Sequence, residues 1–205
     1  MRLIPLVALP ALLIASLISP AAHASPAADA VTAFHAKLLT VMKEGPKLGV
    51  KGRYDALAPA IDKTFHLALT ARQAAGRTAW KMSSDGVRKA YVDAFRNWTI
   101  TTYASEFKAF SGQKFTTLGE EPGPQPGTAL VKTQLDDPGG EPVTLTYLMI
   151  DQGGSWGVYD VMVKRGSTAI SQLAKYISEF RTLAQGGLSN LTAALNEKSK
   201  QLMAP

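Results

Sequence analysis

The sequence predicts an α+β domain in which helices pack on a curved, four-stranded antiparallel sheet. Apolar residues recur at helical spacing up to about residue 110 and again after residue 171, whereas residues 114–163 alternate between apolar and polar side chains. The links between the alternating segments are too short for crossover helices, so neighbouring strands must run antiparallel. An apolar content of 46% suffices for a sizeable core, and we expect one domain over residues 25–205.

The first 24 residues have the pattern of a secretory signal peptide. Arg2 precedes a largely apolar run over residues 3–18, and Ala22-His23-Ala24 follows it as a cleavage-like site. The run is shorter than the roughly 20 residues needed to cross a bilayer, so cleavage after Ala24 is favoured over permanent anchoring. We therefore predict an exported protein that begins at Ser25 after processing.

Four helices are predicted before the sheet, from apolar residues at helical spacing. Gly45-Pro46 ends the first helix, and Pro59 bends or splits the second. Ser83-Ser84-Asp85 supplies a capping hydroxyl and an acidic residue to the start of the fourth helix, which is the longest. The predicted segments are residues 27–42, 53–65, 70–77 and 85–110.

The alternating region predicts four strands joined by links rich in glycine and proline. In the third strand Val143, Leu145, Tyr147 and Met149 share one face, while threonines occupy the other. One face of the sheet must therefore be covered, and only the helices can cover it. The predicted strands are residues 114–118, 128–135, 143–150 and 155–163.

The fourth strand can present either of two apolar faces to the helices. A shift of one residue exchanges them, because successive side chains of a strand point to opposite sides. We expect Tyr159, Val161 and Val163 to point inward. The alternative set is Trp156, Val158 and Met162.

Two more helices are predicted after the sheet, over residues 171–185 and 188–202. Gly186-Gly187 separates them, since glycine permits a helix end and a change of direction. With the earlier helices they complete the layer that covers the sheet.

Composition and motifs exclude several functional classes. The net charge is +6, but the basic residues are scattered, which argues against nucleic acid and leaves a weak attraction to anionic lipid head groups. The absence of cysteine excludes a thiol nucleophile and leaves a zinc site short of ligands. No triad pattern converges, so a hydrolase ranks below a binding protein. We expect His35 and His66 to be surface or capping residues, and Asp160 to be a structural hydrogen-bond partner.

Aromatic and methionine side chains are concentrated on the faces that should meet. From periodicity alone, a filled core is the favoured interpretation. A sheet that curves over helices can instead hold an apolar cavity, for which these side chains provide adaptable walls. Composition does not decide between the two alternatives.

A family resemblance distinguishes between a filled core and an apolar cavity. Trp156-Gly157-Val158-Tyr159-Asp160-Val161, then Ser178-Glu179-Phe180 and Gly186-Gly187-Leu188, resemble the C-terminal signature of the MlaC or toluene-tolerance family of periplasmic lipid carriers. Upstream residues follow the order of the same family through nearly the whole chain after the signal peptide. These are Arg53-Tyr54, Leu57-Ala58-Pro59, Ile61, Phe65, Ala71-Arg72, Gly76, Trp80, Phe95 and Thr102-Tyr103-Ala104.

Within that family, the closest resemblance is to the branch associated with hopanoid biosynthesis. It rests on Gly119-Glu120-Glu121-Pro122 and Gly140-Glu141-Pro142-Val143. The chain departs from its relatives at three places. Lys164-Arg165 stands where an acidic residue is usual, His66 where Asp is usual, and Ile177 where Arg is usual. These positions lie at turns and helix surfaces, so the departures concern docking and head-group contacts more than the fold.

The resemblance implies a nuclear-transport-factor-like cone with extra helices, whose interior takes the acyl chains while the head group stays outside. It implies a carrier that moves a phospholipid or hopanoid-type lipid between inner and outer membranes. Its partners would be an inner-membrane ABC-type lipid transport complex or another envelope lipid transporter, on which it docks transiently. No enzyme activity or cofactor is implied. The alternative from another class is an envelope scaffold protein with a filled core and no cargo.

On this reading, apolar residues of the longest helix and of the sheet form the cavity wall. Lys164 and Arg165, at the end of the fourth strand, are candidates to meet a phosphate or an acidic partner, with a solvated turn as the alternative. The predicted lipid-binding residues are Trp98, Tyr103, Phe107, Val131, Leu145, Tyr147, Met149, Tyr159, Val161 and Val163.

Overall fold

A computed structural model of the chain describes residues 25–204 as a layer of helices against a five-stranded antiparallel sheet. The α+β class agrees with the prediction, while the predicted signal peptide, residues 1–24, lies outside the described range. No helix within that range is long and apolar enough to traverse a membrane. The helices are α1 (Pro26–Thr64), α2 (Leu67–Ala74), α3 (Arg77–Met82), α4 (Asp85–Glu106), α5 (Gln172–Leu183) and α6 (Leu188–Met203), and the strands are β1 (Lys114–Pro122), β2 (Thr128–Asp136), β3 (Val143–Asp151), β4 (Trp156–Arg165) and β5 (Thr168–Ser171).

The first helix does not end at Gly45-Pro46, contrary to the sequence prediction. Helical structure continues through both residues, and the bend falls at Gly49, whose φ of 61° and ψ of 178° are not helical. Glycine adopts this positive φ without the steric cost of a side chain. Gly45 is required for another reason, because a Cβ there would lie 2.1 Å from the carbonyl oxygen of Lys108. It permits the close approach of α1 to the segment after α4.

Arg53 joins the bend of α1 to the end of α4. Its Nε donates to the carbonyl oxygen of Ala104 at 2.6 Å, and one terminal nitrogen donates to that of Gly45 at 2.9 Å. The side chain is buried, yet its charge lies close to the negative ends of two helical segments, which stabilises a cation. Arg53 therefore fixes the distance between α1 and α4.

The sheet has one strand more than predicted, so the prediction of four strands is wrong. β5 pairs antiparallel with the end of β4, from Arg165 opposite Thr168 to Met162 opposite Ser171. The hairpin between them turns at Gly166, whose φ is 52°. β5 has four residues, and its one large apolar side chain, Ile170, is exposed. Such a segment has no alternating pattern by which a strand could be recognised.

A β-bulge in β4 decides which side chains of that strand point inward. Leu148 of β3 pairs with Asp160, but the next residue, Met149, pairs with Val158. Tyr159 is therefore an extra residue in β4, and the alternation shifts there by one position. Val161 and Val163 point inward as expected, together with Val158 from the alternative set.

The sheet is an uninterrupted meander in the order β1-β2-β3-β4-β5, and its inner face packs against the helices. Two clusters of buried residues result. The sheet cluster joins the start of α1 to the inner face of β2, β3 and β4, and consists of Ala27, Val31, Ala129, Val131, Tyr147, Met149, Val158 and Val161. The helical cluster joins α1, α2, α4, α5 and α6, and its largest fully buried members are Phe34, Leu38, Leu57, Ile61, Tyr91, Phe95, Ile100, Phe180, Leu188, Leu191 and Leu195.

Candidate functional site

An apolar cavity of about 320 Å³ lies between the inner face of the sheet and the helices. α1, α4, α5, β1, β3 and β4 all contribute to its wall. Tyr103, Phe107, Leu145 and Val163 are only half-buried, although they are large apolar residues inside the fold. The surface that they retain faces the cavity. Its volume falls within the range of about 300–1,000 Å³ found for ligand pockets.

The fold brings most of the predicted site residues together around this cavity. They come from two predicted sources. One is α4 with the residue that follows it, the helix that the sequence predicted to be the longest although α1 is longer, and the other is the inner face of β3 and β4. That they bind a lipid stays a prediction. The predicted residues in the wall are Trp98, Tyr103, Phe107, Leu145, Tyr147, Val161 and Val163.

Three predicted site residues lie elsewhere. Val131 and Met149 are on the inner face of the sheet, but they are 0% exposed and belong to the sheet cluster with Val31. The first turns of α1 therefore fill the space in front of them. Tyr159, the bulge residue, lines an adjoining small cavity of about 40 Å³, which shares Tyr103, Val161 and Tyr176 with the larger one.

The sequence pattern did not indicate the contribution of α5. Tyr176 lines the cavity, whereas Phe180, one turn further on, is 1% exposed within the helical cluster. The apolar stripe of α5 therefore contributes residues to both the core and the cavity wall. The spacing of its residues does not show which of them belong to the core and which to the wall. The other wall residues without a sequence prediction are Leu38, Thr102, Glu106, Phe115, Gln172 and Lys175.

Stacked aromatic rings make up the helical side of the wall. Tyr103 stacks on Phe107 with ring centroids 5.5 Å apart, and Tyr176 stacks on Phe180 at 5.8 Å. Trp98 meets Tyr176 edge-on at 5.2 Å. Contacts of this kind add about 0.5–1.5 kcal/mol to the burial of the rings. The wall therefore keeps its shape without a side chain filling the cavity.

His35 and Tyr147 form a polar pair beside the cavity. Nε2 of His35 and the hydroxyl of Tyr147 share a hydrogen bond of 2.8 Å, and the imidazole stacks on Phe115 at 4.0 Å between centroids. His35 is 3% exposed, so the expectation of a surface or capping residue is wrong. Burial lowers the pKa of His35 to about 4 and raises the pKa of the Tyr147 hydroxyl. Both side chains are neutral near pH 7.

Asp160 is a structural hydrogen-bond partner, as expected. Its carboxylate accepts from the backbone N–H of Leu173 at 2.9 Å, from the hydroxyl of Ser171 at 2.7 Å and from the N–H of Val161 at 2.7 Å. These bonds satisfy donors at the start of α5 and attach that helix to β4. Asp160 thereby positions the helix that carries Tyr176.

Other depressions have a different character. Three of them, of about 500, 540 and 560 Å³, are larger. Like the 320 Å³ cavity, they have charged side chains in their walls, such as Lys63, Arg77 and Arg96. None has the concentration of aromatic and aliphatic residues found in the 320 Å³ cavity. Residues 25–204 contain no group of three or more His, Cys, Asp or Glu side chains placed to hold a metal ion. The cavity is therefore the candidate site.

Known proteins share this fold. The family model described as MlaC protein matches residues 32–197 of the chain. Among solved structures, a phospholipid-binding protein from Ralstonia solanacearum, determined in complex with a phospholipid, superposes with a TM-score of 0.73. It is 21% identical in sequence, and the match covers 88% of this chain and 100% of that one. At this identity the likeness establishes a common fold.

Proposed function

The chain belongs to the MlaC family, and on this premise we propose that it is a periplasmic carrier that shelters the acyl chains of a phospholipid. The 320 Å³ cavity carries the proposal, since its aromatic and aliphatic wall retains apolar surface that nothing in the described residues covers. The Ralstonia solanacearum protein of the same fold, which was determined with a phospholipid bound, supports it. We propose a nuclear-transport-factor-like cone as the shape that the sheet and the helices form together.

A carrier of this kind removes an energetic barrier. Burying one CH₂ group is worth about 0.8 kcal/mol, so moving a chain of about 15 such groups through water costs on the order of 12 kcal/mol. An apolar cavity replaces the membrane interior during the crossing. The steps are docking on an inner-membrane ABC-type lipid transport complex or another envelope transporter, transfer of the chains, and diffusion to the other membrane.

The state of three polar residues beside the cavity supports a binding protein over an enzyme. Asp160 is saturated with hydrogen bonds, and His35 and Tyr147 are buried and bonded to each other. None of these groups is free to act as a general base. A hopanoid-type lipid is the second cargo to test, because the sequence resembles the hopanoid-associated branch.

The proposal is tested by native mass spectrometry of residues 25–205, followed by organic extraction and lipid analysis. We expect a stoichiometric phospholipid adduct. A hopanoid adduct would contradict the proposed cargo but support the proposed carrier function. A mass free of lipid that persists after incubation with both lipids would favour the scaffold alternative.

Two neighbouring residues of β4 provide a matched pair of variants. Val163 lines the cavity, whereas Met162 points to the opposite face of the sheet, opposite Thr146. Val163→Trp places an indole in the cavity and should reduce the lipid adduct strongly. Met162→Trp should leave it unchanged. Equal adducts from the two variants would place the lipid outside this cavity.

A further inference from the structure

Two charged side chains interrupt the apolar wall of the cavity. Glu106, the last residue of α4, and Lys175 of α5 both line the cavity, and both are exposed. Residues that are exposed and also line a cavity lie at its rim. Acyl chains need no charge there, and an uncompensated carboxylate next to apolar groups is costly. These two residues therefore need an explanation beyond shelter for hydrocarbon.

The protein itself leaves both charges largely free. Glu106 forms no ion pair or hydrogen bond with any residue between Ser25 and Ala204. Lys175 has a single ion pair, with Nζ 3.9 Å from Oε1 of Glu179, and both side chains of that pair are about half exposed. An exposed pair at this distance contributes little. Neither charge is bound in a structural role.

Both charged groups share the cavity wall with the same aromatic rings. Partial burial raises the pKa of Glu106, and the charge of Lys175 acts in the opposite direction. The pKa of Tyr103 and that of Tyr176 are raised by burial and further by the charge of Glu106. Tyr103 and Tyr176 are part of the cavity wall. The rim thus has a negative and a positive group above an aromatic surface.

We propose that Glu106 and Lys175 form a head-group subsite for a lipid that carries both a phosphate and an ammonium group. Lys175 faces the phosphate and Glu106 faces the ammonium, while the acyl chains enter the cavity below. The inference rests on the proposed carrier function. A purely anionic head group would be repelled by Glu106, and an uncharged one would leave both charges unused.

Two head groups have this chemistry, and they use the rim differently. An ethanolamine ammonium donates charge-assisted hydrogen bonds to a carboxylate. A choline group cannot donate, but it binds to aromatic faces such as those of Tyr103 and Tyr176. Preference between the two therefore reports whether Glu106 or the rings dominate.

The test is a competition for lipid-free protein. Phosphatidylethanolamine, phosphatidylcholine, phosphatidylglycerol and diacylglycerol with identical acyl chains are offered in equal amounts, and bound lipids are counted by native mass spectrometry. We expect the wild type to favour the two zwitterionic lipids over phosphatidylglycerol by about three- to tenfold, the scale of one partly exposed charge contact. Glu106→Gln should abolish the preference for phosphatidylethanolamine over phosphatidylglycerol. Lys175→Gln should reduce all three phospholipids relative to diacylglycerol with the same chains.

Glu179→Gln is the matched control, because Glu179 lies one turn from Lys175 on α5 but does not line the cavity. It should keep the wild-type preference. Equal binding of phosphatidylglycerol to the wild type, or an unchanged preference in Glu106→Gln, would overturn the subsite while the carrier function stands. A wild type that binds none of the lipids would remove the carrier function and the subsite with it.

Discussion

The helical cluster and the cavity wall use the same kinds of side chain to opposite effect. In the helical cluster Phe95, Phe180 and Leu191 are at most 1% exposed. At the cavity, Tyr103 of α4, Phe107 just after α4 and Leu145 of β3 stay half-buried around a volume of about 320 Å³. Composition is therefore not what distinguishes a filled core from a cavity. The difference lies in the facing layer, which is another helix in the helical cluster and the sheet at the cavity.

Trp98 and Tyr176 form the boundary between the two regions. Both line the cavity, and both also contact Phe95 and Phe180 through edge-on, tilted or stacked rings. The side of these rings that faces the helical cluster is fully packed, so the side that faces the cavity can remain uncovered without collapsing. The filled region thus supports the open one.

The largest expected effect comes from the same truncation made in each region. Leu191→Ala in α6 should lower the free energy of unfolding by about 3–5 kcal/mol, because it leaves a void in a filled core. Leu145→Ala at the cavity should cost about 1 kcal/mol, since little packing is lost. Urea unfolding of both lipid-free variants measures the difference. Similar losses would mean that the cavity wall is as tightly packed as the helical cluster.

The second effect is a pH dependence from His35, the polar residue buried where the helices meet the sheet. Its folded-state pKa of about 4 lies below the usual 6.5, so below pH 6.5 the unfolded chain gains a proton that the folded chain resists. Stability from this group is complete above pH 6.5 and is lost as the pH falls to about 4, by at most about 3 kcal/mol.

Unfolding of the wild type and of His35→Gln at several pH values measures this effect. The stability difference between them should shrink by about 2 kcal/mol from pH 7 to pH 5. The hydroxyl of Tyr147, to which His35 is bonded, stays neutral throughout because burial raises its pKa. A constant difference would show that His35 is protonated in the folded protein or accessible to water.

The smallest effect compares two valines on the inner face of the sheet. Val131 is 0% exposed in the sheet cluster, whereas Val163 borders the cavity. Val131→Trp should destabilise the lipid-free protein by about 1–3 kcal/mol through overpacking. Val163→Trp should cost less than about 1 kcal/mol, because the cavity accepts the ring. Thermal unfolding of the two variants sharpens the comparison, and equal costs would contradict it.

The periodicity of apolar residues was sufficient to predict an element that follows one regular pattern. Apart from α3, the helical regions, the first four strands and the inner residues of β3 were predicted because their side chains repeat at 3.6 or 2 positions. Periodicity placed Trp98 and Tyr103 of α4, and Leu145 and Tyr147 of β3, on the faces that meet. The family resemblance then assigned them to a common wall, and the fold brings them together.

The remaining features depend on contacts that no local pattern contains. The bulge at Tyr159 shifts the alternation of inward and outward side chains within β4. The sequence shows that both faces of this strand are apolar, but it does not show at which residue the shift occurs. The hydrogen bond of His35 is formed with Tyr147 of β3, far along the chain. Nothing in the sequence distinguishes the role of Gly45 from that of Gly49. The structure shows that Gly49 bends the helix, whereas Gly45 permits the close approach of Lys108.

The packing of α6 along α4 determines the order in which the fold can be completed. The sheet is a meander of neighbouring strands, so its pairings are local and close quickly. The helical cluster needs Leu188, Leu191 and Leu195 of α6, which are synthesised only after the whole sheet. A growing chain therefore has its sheet available before α4 is covered. We expect the rate-limiting step of folding to be the docking of α6, and destabilising changes in α6 to slow folding more than equal changes in β2.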